Sequence, residues 1–127
     1  MKTVTALNRN GDFLRLYKRG KSCVHPLLVT YTAANRRGLH RVGITTGKKI
    51  GGAVQRNRAR RVIRAAFRQL RPRMTCEGWD IVFVARTQTC ECTMQQLCRV
   101  MDKHLTRLGL LEPAARPETA QPELMEV

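Results

Sequence analysis

The side chains best equipped for chemistry in this chain are guanidinium groups, and they crowd into one segment. From Lys48 to Arg73 there are ten basic residues and no acid. Solvated helix faces ordinarily mix signs, with Glu spaced to pair with Lys or Arg. A one-sign run of this length fits a polyanionic ligand instead. Apart from Lys48 and Lys49 the basic residues of the segment are all Arg. The Arg fork binds phosphate bidentately and stacks on bases, which Lys does less well. The contact candidates are Lys48, Lys49, Arg56, Asn57, Arg58, Arg60, Arg61, Arg64 and Arg68. No other set of residues competes with this one. Acid–base or metal-assisted hydrolysis needs a His pair or clustered carboxylates. Here Asp12, Asp80 and Asp102 are scattered, and His25, His40 and His104 fall in separate elements. Neither a catalytic side chain nor a bound metal is expected.

The elements that must carry these residues follow from periodicity. At about 100° per residue, Ala59, Val62, Ile63, Ala66, Phe67 and Leu70 share one arc of a helix running from Ala53 or Gln55 to Leu70. Arg60, Asn57, Arg64, Arg68, Arg71 and Arg61 occupy the neighbouring arc, beginning beside Arg56. Pro72 stops the helix. Gly51-Gly52 leaves its N-terminal N–H groups open to an anion. A shorter helix spans Asp12 to Arg19, where Phe13 and Tyr17 lie four apart on one face. Asn10 or Asp12 serves as its cap, and Gly20 as a left-handed stop. Leu27–Thr32 reads as a strand, Ser22–Val24 as a weaker one, and His40–Thr45 as the partner of Leu27–Thr32 in a hairpin across the turn Asn35–Gly38. The apolar run Trp79–Ala85 suits a strand covered on both faces, with Trp79 in the core. Thr93–Leu108 is a second long helix, capped by Thr93 and stopped by Gly109. Helices interleaved with one small sheet indicate an α/β domain of α+β two-layer type, its sheet mostly antiparallel.

Charge defines the class of partner. The net charge is +15, while the last 16 residues carry −3, which leaves +18 on residues 1–111. A field of that size needs a polyanion or it costs stability by self-repulsion. Residues 1–111 are expected to form a single domain, and the Pro-, Ala- and Glu-rich 112–127 a disordered acidic tail. No apolar run approaches the roughly 20 residues of a membrane span, and the N-terminus has no apolar signal core. The expected location is cytoplasmic. The five cysteines agree with a reducing compartment: the number is odd, and Cys90-Glu91-Cys92 leaves one residue where zinc knuckles have two or more.

The stretch Lys48-Lys49-Ile50-Gly51-Gly52-Ala53-Val54-Gln55-Arg56-Asn57-Arg58-Ala59-Arg60-Arg61-Val62-Ile63-Arg64 closely resembles the signature of the bacterial ribonuclease P protein. The resemblance runs from about Asn8 to Leu108. It takes in Asp12-Phe13 and Tyr17, Tyr31, and Asp80–Arg86, and departs at Gly47, where the family commonly has a small hydroxyl residue. It implies a sandwich in which an unusual left-handed crossover joins parallel strands, against the usual handedness. It implies a protein subunit that binds a catalytic RNA and aids removal of the 5′ leader from precursor tRNA. Magnesium would be held mainly by that RNA and no cofactor by the protein. On this reading the basic segment meets the RNA subunit. Phe13, Tyr17, Tyr31, Arg15 and Lys18 meet the single-stranded leader. Core packing is the rival role for the three rings.

Other readings predict other behaviour. A purely structural RNA binder would not prefer a 5′-extended tRNA. A DNA-binding regulator lacks a second helix at helix-turn-helix spacing. A membrane-surface role lacks exposed Trp or Phe beside the basic face.

Overall fold

The apolar run Trp79–Ala85 forms the middle of the molecule. In the computed structural model, which describes residues 4–7, 10–35, 39–74 and 78–111, this segment is the central strand of a five-stranded sheet. In chain order the elements are β1 (Val4–Ala6), α1 (Asn10–Arg19), β2 (Lys21–His25), β3 (Leu28–Ala34), β4 (His40–Thr45), α2 (Ala53–Leu70), β5 (Trp79–Ala85) and α3 (Met94–Arg107). Single 3₁₀ turns lie at Lys48–Ile50, Arg71–Arg73 and Thr89–Glu91. The strands lie in the order β1-β4-β5-β3-β2.

The fold class is the expected α+β sandwich, but two features of the pairing differ. β3 and β4 do not form a hairpin, because β5 sits between them, antiparallel to β3 and parallel to β4. A neighbour in sequence was displaced by a strand that buries more: Ile81, Val82 and Phe83 are all fully buried, and only the centre of a sheet covers both faces of such a run. The sheet is also mixed rather than mostly antiparallel, since β1 adds a second parallel pairing along β4. β1, only three residues long, had no readable pattern. α2 connects the parallel neighbours β4 and β5.

Alternation along β5 builds two cores. Ile81, Phe83 and Ala85 join Leu28, Ile63, Phe67, Leu97, Met101 and Leu105 between the sheet and the α2–α3 layer. Val82 faces the other way, against Leu16 of α1 and Leu7, with Phe13, Tyr31 and Val84 packed around them. Each fully buried large apolar side chain contributes about 1.5–3 kcal/mol relative to exposure, so the first core is the principal source of stability and the second a smaller annex. Trp79 is half-buried at the margin of the first core.

Helix ends explain themselves locally. Thr93 caps α3 in a reciprocal box with Gln96, and Gly109 ends it at φ +86°. Gly20 is not left-handed as expected. Its role is close approach: a Cβ there would lie 2.6 Å from the Leu16 carbonyl oxygen and 2.8 Å from that of Thr32. Leu14, one of the apolar residues of α1, points outward at 51% exposure, so Leu16 alone anchors the helix centre. The acidic segment after Leu111, the turn residues 36–38 and Cys76 lie outside the described residues. No described helix is long and apolar enough to cross a membrane.

Candidate nucleic-acid interface

α2 is pinned from below and open from above. Ala59, Ile63, Ala66, Phe67 and Leu70 are buried. Arg61, Arg64, Arg68 and Arg71 are exposed, while Arg56 and Arg60 are half-buried beside the apolar arc. None of these six forms an ion pair among the described residues. Arg60 donates to the Asn57 side chain at 3.1 Å, which holds both on the same surface. Arg58 is the exception in the candidate set. It lies near the opposite side of the helix, and its Nε donates to the Cys90 carbonyl at 2.6 Å, tying α2 to the Thr89–Glu91 turn. Its position on the wheel, about 200° from Arg56, already separated it from the others.

The loop before α2 extends the basic surface. Ile50 is buried and anchors the loop, leaving Lys48 and Lys49 exposed. Gly51 adopts φ +135°, a conformation side chains rarely tolerate, and Gly52 takes the N-cap position without any side-chain cap. Lys48, Lys49, Arg86 and Val84 border a concavity of about 650 Å³. The Thr46 hydroxyl lies buried on its wall without a hydrogen-bond partner among the described residues. Gly47, the departure from the family pattern, stands in open space.

On the other sheet face α1 and the sheet enclose the aromatic candidates. Tyr17, 39% exposed, meets Tyr31 edge-to-face at 4.8 Å between ring centroids. Phe13 is half-buried over Gly43, where a Cβ would come within 2.6 Å of the ring. The three rings thus share one surface, with Phe13 most committed to packing and Tyr17 most open.

Beneath them lies a network that sequence reasoning missed. Asp80, 2% exposed, accepts two hydrogen bonds from Arg41 at 2.7 Å each, one from Asn35 at 2.8 Å and one from Arg15 at 3.3 Å. Arg15 and Arg41 also reach Asp12, at 2.9 and 3.4 Å. Burial pushes the Asp80 carboxyl upward, but hydrogen bonds from Arg41 and Asn35 and the nearby guanidinium charges hold it below the usual carboxylate range. The Arg41 guanidinium is held above its ordinary value, first by its hydrogen bond to Asp80. Arg15, a leader-contact candidate, is therefore half a structural residue, whereas Lys18 is exposed and free of ion pairs among the described residues. One signal for this network was legible: a lone carboxylate inside an apolar strand must be paired.

The three aspartates all have guanidinium partners. Asp12 and Asp80, far apart in sequence, meet through shared guanidinium groups, and Asp102 pairs with Arg73 at 3.0 Å. No group of three or more metal-ligating side chains occurs among the described residues. His25 and His104, on separate elements, come together with ring centroids 6.4 Å apart. Burial, then the charges of His25 and Arg107, push the His104 imidazole down to about 4, and its Nδ1 shares a 2.9 Å hydrogen bond with the Thr30 hydroxyl. His40 is buried and accepts from the Trp79 amide.

A basic α+β sandwich with an arginine face on one helix, unpaired among the described residues, and a half-open aromatic surface on the far side of its sheet defines the class. The chain belongs to the ribonuclease P protein family: the family model described as "Ribonuclease P" matches residues 1–109. The ribonuclease P protein component of Clostridioides difficile (strain 630) is 40% identical over 91 residues, covering 72% of this chain and 80% of that one. That of Chloroflexus aurantiacus (strain J-10-fl) is 38% identical over 123 residues, covering 96% and 90%. Among solved structures, the Staphylococcus aureus RNase P protein superposes with a TM-score of 0.73 at 30% identity, over 84% of this chain and 97% of that one. The Thermotoga maritima RNase P protein gives 0.68 at 28%, over 81% and 94%. Membership makes the chain a component of an endoribonuclease holoenzyme of tRNA processing, with an RNA partner.

Proposed function

We propose that the chain binds the RNA subunit of ribonuclease P through the arginine face of α2 and holds the 5′ leader of precursor tRNA on the α1 side of the sheet. The observation that carries the first half is the set of six guanidinium groups on one surface with no carboxylate to answer them among the described residues. Side-chain cations that serve the fold find partners here, as Arg15, Arg41, Arg58 and Arg73 do; the six on the open face are left for phosphate. The second half rests on Tyr17, Tyr31 and Phe13, which present ring edges and faces beside Lys18, as single-strand platforms do. The cleavage chemistry belongs to the RNA subunit and its magnesium. Asp12, Asp80 and Asp102 are held by guanidinium groups, and His104 is buried and neutral near pH 7, so none of these is free to move a proton on a substrate. The reaction is expected in the cytoplasm. The test is to combine the protein with the ribonuclease P RNA of its host and assay leader removal at low magnesium. Stimulated cleavage, with 5′-extended tRNA favoured over mature tRNA, supports the proposal. RNA binding without that preference would make the chain a structural RNA binder instead.

A further inference from the structure

The edge of the sheet opposite the arginine face carries a second set of unanswered cations. Arg99, Lys103 and Arg107 recur every four residues along α3 and are all exposed. None has an ion-pair partner among the described residues; Asp102, the acid beside them, is taken by Arg73 and by the Thr106 hydroxyl. With Val24 and His25 of edge strand β2 they line a concavity of about 720 Å³. Val24 is 68% exposed, the second most exposed large apolar side chain among the described residues. His25 keeps one ring nitrogen accepting the Leu27 amide, so its ring stands fixed beside the concavity.

Register connects this edge to the aromatic surface. Ser22 is opposite Tyr31 and Val24 is opposite Val29, so both β2 residues share the sheet face of Tyr31 and α1. A strand lying on Tyr17 and Tyr31 and leaving over β2 crosses Ser22 and Val24, then meets His25 and the α3 cations. From Ser22 to His25 is about 10 Å at the usual strand rise. Lys18, Arg19 and Lys21, all exposed, border the start of this path.

Resting on the leader reading above, we infer that the leader-binding surface continues over edge strand β2 onto α3, where Arg99, Lys103 and Arg107 hold the ribose-phosphate backbone of leader nucleotides farther from the cleavage site. The ligand is single-stranded RNA. The path is continuous with the aromatic surface, its exposed apolar and ring side chains suit unpaired bases, and its charge is net positive, since Asp102 on the same lining is paired with Arg73. A cationic last turn also favours the negative end of a helix dipole, and the experiment separates that role from RNA contact.

Arg99→Gln, Lys103→Gln and Arg107→Gln are combined in the full chain, assembled with the RNA subunit, and titrated with precursors whose leaders grow one nucleotide at a time. Wild type is expected to gain affinity as the leader lengthens beyond the aromatic surface, and the variant to lose that later gain several-fold. Its affinity for mature tRNA, for short-leader precursor and for the RNA subunit should stay unchanged. The log–log salt slope for the longest leader should flatten by about two, at roughly 0.7 per single-strand phosphate contact. An undiminished gain overturns the inference. So does an equal loss for mature tRNA, which would assign these cations to the tRNA body. Loss of leader preference at every length in wild type would instead sink the parent reading. Should the variant melt early, a photoreactive 4-thiouridine at the distal end of the leader, with wild-type protein, decides the matter: adducts on β2 or α3 support the path, and adducts confined to α1 contradict it.

Discussion

On α2 and the turn after it, Arg56, Arg60, Arg61, Arg64, Arg68 and Arg71 stand without a carboxylate among the described residues, whereas below the sheet Arg15 and Arg41 are bound to Asp12 and Asp80. The residue type is the same and the work differs. An unpaired exposed guanidinium adds little to folding and repels its neighbours, so a row of them is retained for something outside the chain. A guanidinium buried against two carboxylates is a structural joint, here fastening α1 to the middle of the sheet. The contrast separates the two halves of the proposed function: one surface grips by charge, while the other is shaped by a salt-bridge network and offers rings.

The largest effect on folding should come from breaking the joint. Asp80→Ala leaves half-buried Arg41 with only its longer 3.4 Å contact to Asp12, and the loss is expected to be about 3 kcal/mol, as when one partner of a buried pair is removed. Chemical denaturation measures it directly. Loss under 1 kcal/mol would mean that the network is dispensable. Acid should probe the same joint. Because the folded carboxyl lies below its ordinary value, its stabilisation is present above the usual carboxylate range and disappears as pH falls through and below it.

Next in size is His104, which titrates in a different window. Its folded value of about 4 lies below the ordinary imidazole value of 6.5, so the unfolded chain binds the proton more readily. Stability is therefore complete above pH 6.5 and declines between about 6.5 and 4, by up to about 3 kcal/mol. His104→Gln should flatten the melting temperature across that interval. An unaltered pH profile would show that the decline has another origin.

Variants of the rings act on the aromatic surface. Phe13→Ala should cost about 2 kcal/mol of stability, less than the 3–5 of a fully buried ring, because Phe13 is only half-buried. Tyr17→Leu should cost less than 1 kcal/mol but weaken leader-bearing precursor by about 1–3 kcal/mol, the worth of one base stack. Mature tRNA should bind as before. Equal loss for both tRNAs would return the ring to packing alone. Smallest of all, deleting Glu112 to Val127 should leave folding and cleavage intact and tighten RNA binding slightly by removing −3 of charge. Melting and RNA titration of the shortened chain check this.

Much of this was legible in the sequence because it depends on short-range pattern. α2 and β5 fall where periodicity and apolar runs placed them, and Thr93 and Gly109 bound α3 as their residue types require. The separation of arginine face from apolar arc needed only the helical pitch. What escaped was non-local. Nothing in His40–Thr45 says that β5 intervenes before β3, since that choice is made by which strand buries both faces. The meeting of Asp12, Arg15, Arg41 and Asp80 spans three elements, and scattered carboxylates on a line of sequence became one network in space. Gly20 was read by its commonest use, while its actual constraint, two carbonyl oxygens overhead, belongs to the packing of α1 on β3.

On the proposed reading the α2 surface grips RNA through its open arginine face. Arg60→Glu with Arg64→Glu leaves Ile63, Ala66 and Phe67 in place, and neither arginine holds an ion pair among the described residues. Affinity of this variant for the RNA subunit, titrated across salt concentration beside a thermal melt, is the direct measurement. Affinity should collapse, the log–log salt slope should become shallower by about two at roughly 0.9 per phosphate contact, and the melting temperature should stay close to wild type. Wild-type affinity with a wild-type slope would contradict that reading.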